Sequence, residues 1–306
     1  MKKLALLSLL GCMLLACSGP KKQEVKEEIE PEKVDMDPGL VSIVTNSMDI
    51  VMSDTLHSGL NHLVYENKSN MVHLLLFNKV PDSISLEDYH SQLTKPFQDL
   101  MDAINNNVEP PNNFPEWLPA MVNTGGVGLI SPGLRAESYV NFPPGNYVVE
   151  CYIKSDGVFH SSMGMLKQLR VIEKSTQQLP PQETLGIKLS PDGIALDGEL
   201  PKTSGQVVFR VEYGETKLFE NFTRPDVNLA RVTDENNLDS LEDYMDWRKP
   251  NGMTIEAPVT FLGGVQEMPE GNVSYFSANL EPGKYVLIGE VPEPKKDGFY
   301  LEFEIE

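Results

Sequence analysis

Cysteine is scarce in this chain of 306 residues, which contains three of them, Cys12, Cys17 and Cys151. The first two lie in the amino-terminal segment, so Cys151 is the one thiol in the body of the chain. This distribution excludes an intrachain disulfide as a source of stability for the body of the chain. A lone thiol in an oxidising compartment needs either burial or a metal to protect it.

Basic residues are too few to balance the acidic ones. The chain has 25 Lys and Arg against 45 Asp and Glu, which gives a formal net charge of −20. Nucleic acids and anionic lipid surfaces are bound through a basic footprint, and no such footprint is present. We therefore exclude nucleic acid as a partner.

Familiar catalytic groupings are also missing. The sequence has no G-x-S-x-G motif and no recognisable Ser-His-Asp or paired-carboxylate grouping. The glycine pairs Gly125-Gly126 and Gly263-Gly264 lack the strand-loop-helix context of a phosphate-binding loop, which favours turn or bulge glycines. We predict that the protein is not an enzyme.

The chain has one sustained apolar run, residues 4–15, and it is too short for a conventional membrane-spanning helix. Lys2 and Lys3 precede it, as in a secretory signal. The run ends in Leu-Leu-Ala-Cys at residues 14–17, which resembles a bacterial lipobox and implies cleavage before Cys17 and acylation of its sulfur. Cleavage before Cys12 also fits the pattern but leaves only a few apolar residues, and an uncleaved anchor is the remaining alternative.

The segment that follows Cys17 is rich in Lys, Glu and Pro up to residue 38 and cannot bury enough apolar surface to fold. It is predicted to be a flexible tether. The expected location is the bacterial cell envelope, with the membrane as a partner through lipidated Cys17. Ser18 resembles an outer-membrane sorting signal, and whether the protein faces the periplasm or the outside stays open.

The second half of the chain repeats motifs of the first half in the same order. Residues 85–89 recur as 240–244, residues 125–127 as 263–265, and residues 144–148 as 282–286. Repeats of this length indicate tandem domains rather than solenoid units. The predicted boundaries are 1–16 for the leader, 17–38 for the tether, 39–173 for the first domain, 174–186 for a linker and 187–306 for the second domain.

Each copy begins with short alternating strands, such as residues 41–45 and 187–189, and then has one helical insertion. The insertions start at the capping-box-like Ser85 and Ser240. Pro96 is expected to break the first insertion into two helices.

The unusual residues of the chain lie in one hairpin, residues 144–171. Cys151 lies on a period-2 strand that opens with Pro-Gly, and it is followed by His160 and then by Met165 before a second alternating run. His73 lies upstream on another predicted strand. Thiolate, imidazole and thioether are the soft ligands that blue-copper sites combine.

At this hairpin the chain resembles the cupredoxin family, through Pro144, Gly145, Tyr147, Cys151, His160, Gly164 and Met165. The resemblance implies an all-β fold with small helical insertions, arranged as two tandem cupredoxin-like Greek-key β-sandwiches. It also implies a copper ion bound by His73, Cys151 and His160 with Met165 as axial ligand, for electron transfer or copper holding with a redox or envelope protein partner. Eight residues separate Cys151 from His160, more than is usual in the family.

A metal-free alternative stays open, because an unpaired cysteine is often a small buried apolar residue. The protein would then be a β-sandwich interaction or ligand-binding lipoprotein without a cofactor. In the second copy Gly289 replaces Cys151, His73 falls near Leu218 or Phe219, and His160 and Met165 have no counterparts. Their joint loss favours one site formed by all four residues.

Two further sets of residues were weighed as ligands. Met163 could replace Met165 as the axial ligand. His57, His62 and His90 have no spacing that groups them, so they are predicted to be surface or packing residues.

Overall fold

Short strands with alternating buried and exposed residues form most of the structure, a computed structural model that describes residues 38–215, 217–234 and 238–306. Residues 37–306 form one compact unit. The predicted leader, Cys17 and residues 17–37 of the predicted tether lie outside the described residues. Within the described part, no helix is long and apolar enough to cross a membrane.

The first half contributes ten strands and the second half eight. The strands of the first half are β1 (Leu40–Asn46), β2 (Asp49–Val51), β3 (Thr55–Asn67), β4 (His73–Val80), β5 (Val122–Ile130), β6 (Arg135–Phe142), β7 (Gly145–Glu150), β8 (Lys154–Ser155), β9 (Val158–Phe159) and β10 (Leu166–Ser175). Those of the second half are β11 (Leu185–Ser190), β12 (Gly193–Asp197), β13 (Gly205–Tyr213), β14 (Val227–Val232), β15 (Thr260–Val265), β16 (Val273–Leu280), β17 (Gly283–Ile288) and β18 (Tyr300–Ile305).

The two halves have the same strand order. In the first half one sheet runs β2-β1-β3-β6 and the other β10-β7-β4-β5, with the start of β3 added beside β10. In the second half the corresponding sheets run β12-β11-β13-β16 and β18-β17-β14-β15. In both halves the first strand pairs in parallel with the third. The other pairs are antiparallel, except that the start of β3 pairs in parallel with β10 in the first half. This topology confirms two tandem cupredoxin-like β-sandwiches.

Both sheets continue from one half into the other. Strand β6 pairs antiparallel with β16, with Ser138 opposite Phe276, and β5 meets β15 with Ile130 opposite Leu262. A Cβ added to Gly128 would lie 2.8 Å from the Cα of Gly264, so the backbones of the two halves are in direct contact. The halves are therefore packed edge to edge rather than separated.

The glycine pairs are bulge residues, as predicted. The β4–β5 ladder shifts register between Leu76 and Asn78, and Gly126 opposite has a φ of +152°. A Cβ there would lie 1.9 Å from the carbonyl oxygen of Leu75, so no other residue fits. Gly264 occupies the equivalent place in β15.

Helices are confined to the insertions. They are α1 (Leu86–Tyr89), a π-helical segment (His90–Thr94), α2 (Lys95–Asn105), a short 3-10 turn (Leu118–Ala120) and α3 (Leu238–Tyr244). Ser85 forms the predicted capping box with Asp88. The prediction that Pro96 breaks the insertion was wrong, because helical turns run without a gap from residue 86 to residue 105. The wider π-helical segment before Pro96 accommodates its missing N–H and its ring.

Candidate metal centre

The strand order brings the candidate ligands to one end of the first sandwich. His73 begins β4, and Cys151 directly follows β7. These strands are antiparallel, with Leu76 opposite Glu150, so the start of β4 and the end of β7 lie at the same edge. His160 and Met165 lie on the chain between β9 and β10, and β10 pairs with β7.

The two imidazoles and the thiol converge in the core. Cys151 Sγ lies 3.5 Å from His73 Nδ1 and 3.7 Å from His160 Nδ1. The two imidazole ring centroids are 5.1 Å apart. All three side chains are fully buried, and their possible ligand atoms lie within 4.8 Å of one another. No other group of three or more His, Cys, Asp or Glu in the described residues is placed to hold a metal.

The loop between Cys151 and His160 closes in spite of its length. Strands β8 and β9 pair as a small hairpin within the loop, which returns the chain toward Cys151. The His160 N–H donates to the Ile153 carbonyl at 2.8 Å, and the Met165 N–H donates to the His160 carbonyl at 2.8 Å. The Cys151 N–H donates to the Met165 carbonyl at 3.4 Å. The loop of eight residues therefore brings His160 back to Cys151.

Met165 is fully buried beside these backbone contacts, and Met163 is 47% exposed. Burial and these backbone contacts favour Met165 over Met163, and the role of Met165 as the axial ligand stays a prediction. On the other side of His160, Nε2 is 2.9 Å from Ser155 Oγ, and this contact fixes the ring with Nδ1 toward Cys151.

Burial controls the protonation of the cluster. It lowers the pKa of His73 to about 3, with a further lowering by neighbouring His160, and it lowers the pKa of His160 to about 4. Burial also raises the pKa of the Cys151 thiol to about 12, although the backbone N–H groups of Leu74 and Ile153 partly oppose this. At neutral pH the cluster without a metal therefore has two neutral imidazoles and a protonated thiol.

These residues fit a copper ion. Nitrogen and thiolate ligands bonded at about 2.0 and about 2.3 Å, with an angle near 120°, are separated by about 3.7 Å. The observed separations of 3.5 and 3.7 Å between Nδ1 and Sγ match this value. The donor set of one thiol and two imidazoles is the one that copper takes in blue-copper sites.

The second half supplies part of the wall of the site. The Lys154 N–H donates to Met253 O at 2.7 Å, and Ile255 N–H donates to Lys154 O at 3.1 Å. The Ile255 carbonyl then accepts from the N–H of Val72, next to His73, at 3.1 Å. Residues 253–255 thus lie between the strand that carries His73 and the loop that carries His160.

Lys154 itself connects the ligand loop to the second half. Its side chain is fully buried, and Nζ donates to the carbonyls of Trp247 at 2.6 Å and Lys249 at 2.7 Å. Burial lowers the pKa of Lys154 to about 8, against the opposing effect of Asp246. The burial of Lys154 is not predictable from the sequence, since Lys154 stands in a polar loop and no local pattern marks it as buried.

Among the residues that the structure describes, the second half has no equivalent cluster. Strand register pairs Leu76 with Glu150 and Asn228 with Ile288, so His73 corresponds to Pro225, and its alignment with Leu218 or Phe219 was wrong. Gly289 takes the place of Cys151, and a Cβ there would lie 3.1 Å from Phe299 Cβ. An aromatic side chain therefore occupies the space of the thiol.

The other histidines lie apart from the site, as predicted. His62 stacks on Tyr139 at 4.2 Å and pairs with Glu137, and His90 is exposed with Nε2 2.9 Å from the Ser162 carbonyl oxygen. His57 is half-buried on β3.

Comparison with known proteins gives structural similarities alone. No family model matches the chain, and no curated protein matches it. The reduced auracyanin of the photosynthetic bacterium Roseiflexus castenholzii is 17% identical over 44% of this chain and 97% of its own, with a TM-score of 0.26. Auracyanin A, a blue copper protein of Chloroflexus aurantiacus, is 14% identical over 44% of this chain and 98% of its own, with a TM-score of 0.26.

Among the similar structures is also a multicopper oxidase, 13% identical over 87% of this chain and 88% of its own, with a TM-score of 0.23. That protein is an enzyme by name, and the absence of catalytic activity in this chain stays a prediction. The fold assignment rests on the sheet topology described above. The chain has two tandem cupredoxin-like β-sandwiches, and the first of them contains a buried His73, Cys151 and His160 cluster.

Proposed function

We propose that the first sandwich binds one copper ion through His73, Cys151 and His160, with Met165 as the axial ligand, for electron transfer or copper holding in the cell envelope. The observation that carries this proposal is the convergence of both Nδ1 atoms on Cys151 Sγ at 3.5 and 3.7 Å. We also propose that the protein does not catalyse a reaction. A redox protein or another envelope protein is the expected partner.

Copper held by one thiolate and two imidazoles supplies a one-electron Cu(II)/Cu(I) couple. The protein residues provide a site that keeps water out, since His73, Cys151 and His160 are fully buried. Ser155 fixes the orientation of His160, and Lys154 fixes the loop between Cys151 and His160. A site held this firmly requires little rearrangement when the charge of the ion changes.

Loading requires one proton to leave the protein. Above about pH 4 both imidazoles are already neutral, because burial has lowered the pKa of His73 to about 3 and that of His160 to about 4. The Cys151 thiol, whose pKa burial raises to about 12, must release its proton when its sulfur becomes a ligand.

The test is a titration of the purified metal-free protein with Cu(II). An intense visible thiolate-to-copper band is expected at one equivalent, because the thiolate is bonded directly to the ion. Cys151→Ser should abolish the band, and His73→Ala or His160→Ala should weaken or distort it. His62→Ala, a histidine outside the cluster, is the matched control and should leave it unchanged.

The metal-free alternative predicts a colourless titration. In that case Cys151 would also stay unreactive toward thiol reagents until the protein is denatured, as expected of a packing residue. That pair of results would overturn the copper proposal.

Attachment to the membrane is proposed to depend on acylation of Cys17. Cys17→Ser should release the protein from membranes while residues 37–306 stay folded, because they form a compact unit of their own. Stable attachment needs more than one lipid chain, so we propose multiple acylation of this cysteine. Retention of the variant on membranes after a high-salt wash would show that another anchor exists.

A further inference from the structure

The helical insertion of the first half contacts the loop that carries His160. His90 begins the π-helical segment, Thr94 ends it, and Gln98 lies one turn further along, in α2. Because these residues are spaced four apart, they lie on one face of the insertion. That face is turned toward residues 157–162, which include His160 and its neighbours on both sides.

Gln98 holds the part of the loop that precedes His160. Its Nε2 donates to the Gly157 carbonyl at 3.1 Å, and its Oε1 accepts from the Phe159 N–H at 2.9 Å. A side-chain amide has both a donor and an acceptor, so it can bind two backbone groups of one segment at once. Gln98 is half-buried, which partly shields both bonds from water. The two bonds fix the backbone at the residue next to His160.

Two further contacts hold the loop after His160. Ser162 Oγ donates to the Thr94 carbonyl at 2.9 Å, and His90 Nε2 lies 2.9 Å from the Ser162 carbonyl oxygen. A carbonyl oxygen only accepts, so this nitrogen carries the hydrogen and donates it. The insertion therefore holds the chain on both sides of His160.

These contacts explain how a long loop can present a metal ligand in one position. Closing a longer loop costs more conformational entropy than closing a short one, so a longer loop needs more contacts to hold it. The second half holds the loop near its start, through Lys154. The insertion holds it near its end, next to His160. Of the insertion residues, Gln98 makes two hydrogen bonds to the loop backbone with one side chain.

We propose that Gln98 is a positioning residue for the metal centre. Through its bonds to Gly157 and Phe159 it keeps His160 Nδ1 directed at Cys151 Sγ, from which it is 3.7 Å away. This inference rests on the proposed copper function. Gln98 acts through the loop and not by contact with the ion. Replacing a residue that orients a metal ligand typically lowers metal affinity by about 10- to 100-fold.

The test compares Gln98→Met with Gln92→Met, the same substitution in the same insertion. The side chain of Gln92 hydrogen-bonds to Asp88 and Trp117 within the insertion. Gln98→Met should weaken Cu(II) binding at least about tenfold in competition with a chelator, and it should shift the thiolate-to-copper band, because His160 is no longer held in place. Gln92→Met should match the wild type. Unchanged affinity or an unshifted band in Gln98→Met would overturn the proposal.

A measurement on the metal-free protein separates this inference from the proposed function. The His160 N–H donates to the Ile153 carbonyl, and its amide exchange should become at least about tenfold faster in Gln98→Met but not in Gln92→Met. If the wild type takes up no copper, the proposed function fails, and this exchange still decides whether Gln98 holds His160. Unchanged exchange at His160, or an equal acceleration in β1 from a general loss of stability, would overturn the proposal.

Discussion

At the residue scale, burial sets the protonation state of each residue in the cluster. The imidazoles of His73 and His160 are kept neutral and directed through Nδ1 at one sulfur atom. The thiol of Cys151 is kept protonated until a metal replaces its proton. The same three residues at the surface would titrate at ordinary values and would not be held at one distance from one another.

Met165 provides a prediction at this scale. Met165→Leu should keep the visible band of the copper-loaded protein, because the axial ligand adjusts the site more than it holds the ion. The reduction potential, measured by redox titration, should change. Met163→Leu is the control, since Met163 is largely exposed, and it should leave the potential unaltered. Loss of colour in Met165→Leu would show that Met165 holds the metal.

At the element scale, the loop between Cys151 and His160 is held by the second half. The small β8–β9 hairpin returns the chain, and residues 253–255 bridge it to the strand that begins at His73. The described residues of the second sandwich contain no equivalent metal-binding cluster, but residues 253–255 and the carbonyls of Trp247 and Lys249 support the ligand loop of the first sandwich.

Lys154→Met tests this support. The substitution shortens the side chain by one atom, keeps it unbranched, and removes the two hydrogen bonds to the carbonyls of Trp247 and Lys249. Amide hydrogen exchange in residues 153–160 of the metal-free protein should become at least about tenfold faster, equivalent to about 1.4 kcal/mol in the opening free energy. Exchange rates in β1 should not change.

Lys249→Met is the matched control for this experiment, because the Lys249 side chain is exposed and only its backbone carbonyl contacts Lys154. It should leave exchange in the loop unaltered. If Lys154→Met also leaves the loop amides unaltered, the second half does not support the loop.

At the scale of the whole molecule, a group of buried carboxyl groups lies where the two halves meet. Burial raises the pKa of Asp226 and that of Glu267 to about 7, and it raises the pKa of Glu290 well above its usual value. The Tyr152 hydroxyl from the first half donates to Glu290 at 2.7 Å. The junction of the halves therefore contains carboxyl groups that are protonated in the folded state at a pH where they ionise in the unfolded state.

The raised pKa values of these carboxyl groups predict how the stability of the protein depends on pH. The folded protein binds more protons than the unfolded protein at these carboxyl groups, so their contribution to the free energy of unfolding falls as pH rises. His73 and His160 act in the opposite direction, mainly below about pH 7, where the unfolded histidines become protonated. Lys154 also acts in the opposite direction, because burial lowers its pKa in the folded state to about 8 while the unfolded lysine stays protonated. Between pH 6.5 and pH 8 the three buried carboxyl groups outweigh these residues, and the free energy of unfolding should fall.

Chemical denaturation of the metal-free protein at several pH values measures this dependence. Asp226→Asn should reduce the fall in the free energy of unfolding between pH 6.5 and pH 8. The control is Asp49→Asn, at an exposed position, which should leave this fall as large as in the wild type. A free energy of unfolding that rises over this interval would contradict the account.

Patterns that are local in sequence predicted much of this molecule. Alternation before Cys151 predicted the strand β7, although this strand ends at Glu150 and Cys151 lies just beyond it rather than on it. Ser85 with Asp88 predicted a helix start, and the repeated motifs predicted two equivalent sandwiches. Spacing and resemblance together predicted that His73, Cys151 and His160 lie close together, as the structure shows, although spacing alone did not show that eight residues could close the loop.

Features that depend on tertiary contacts could not be predicted in this way. Lys154 is buried because carbonyl groups about 95 residues further along the chain accept its hydrogen bonds. The correspondence of His73 with Pro225 follows from strand register, which a gapped alignment does not fix.

The central claim, that one copper ion occupies the His73, Cys151 and His160 cluster, is tested most directly by anomalous diffraction at the copper absorption edge from crystals of the Cu(II)-loaded protein. The account predicts one strong peak per chain, within bonding distance of His73 Nδ1, His160 Nδ1 and Cys151 Sγ. No peak at the cluster, or copper bound only at other residues while the cluster keeps its present contacts, would contradict it.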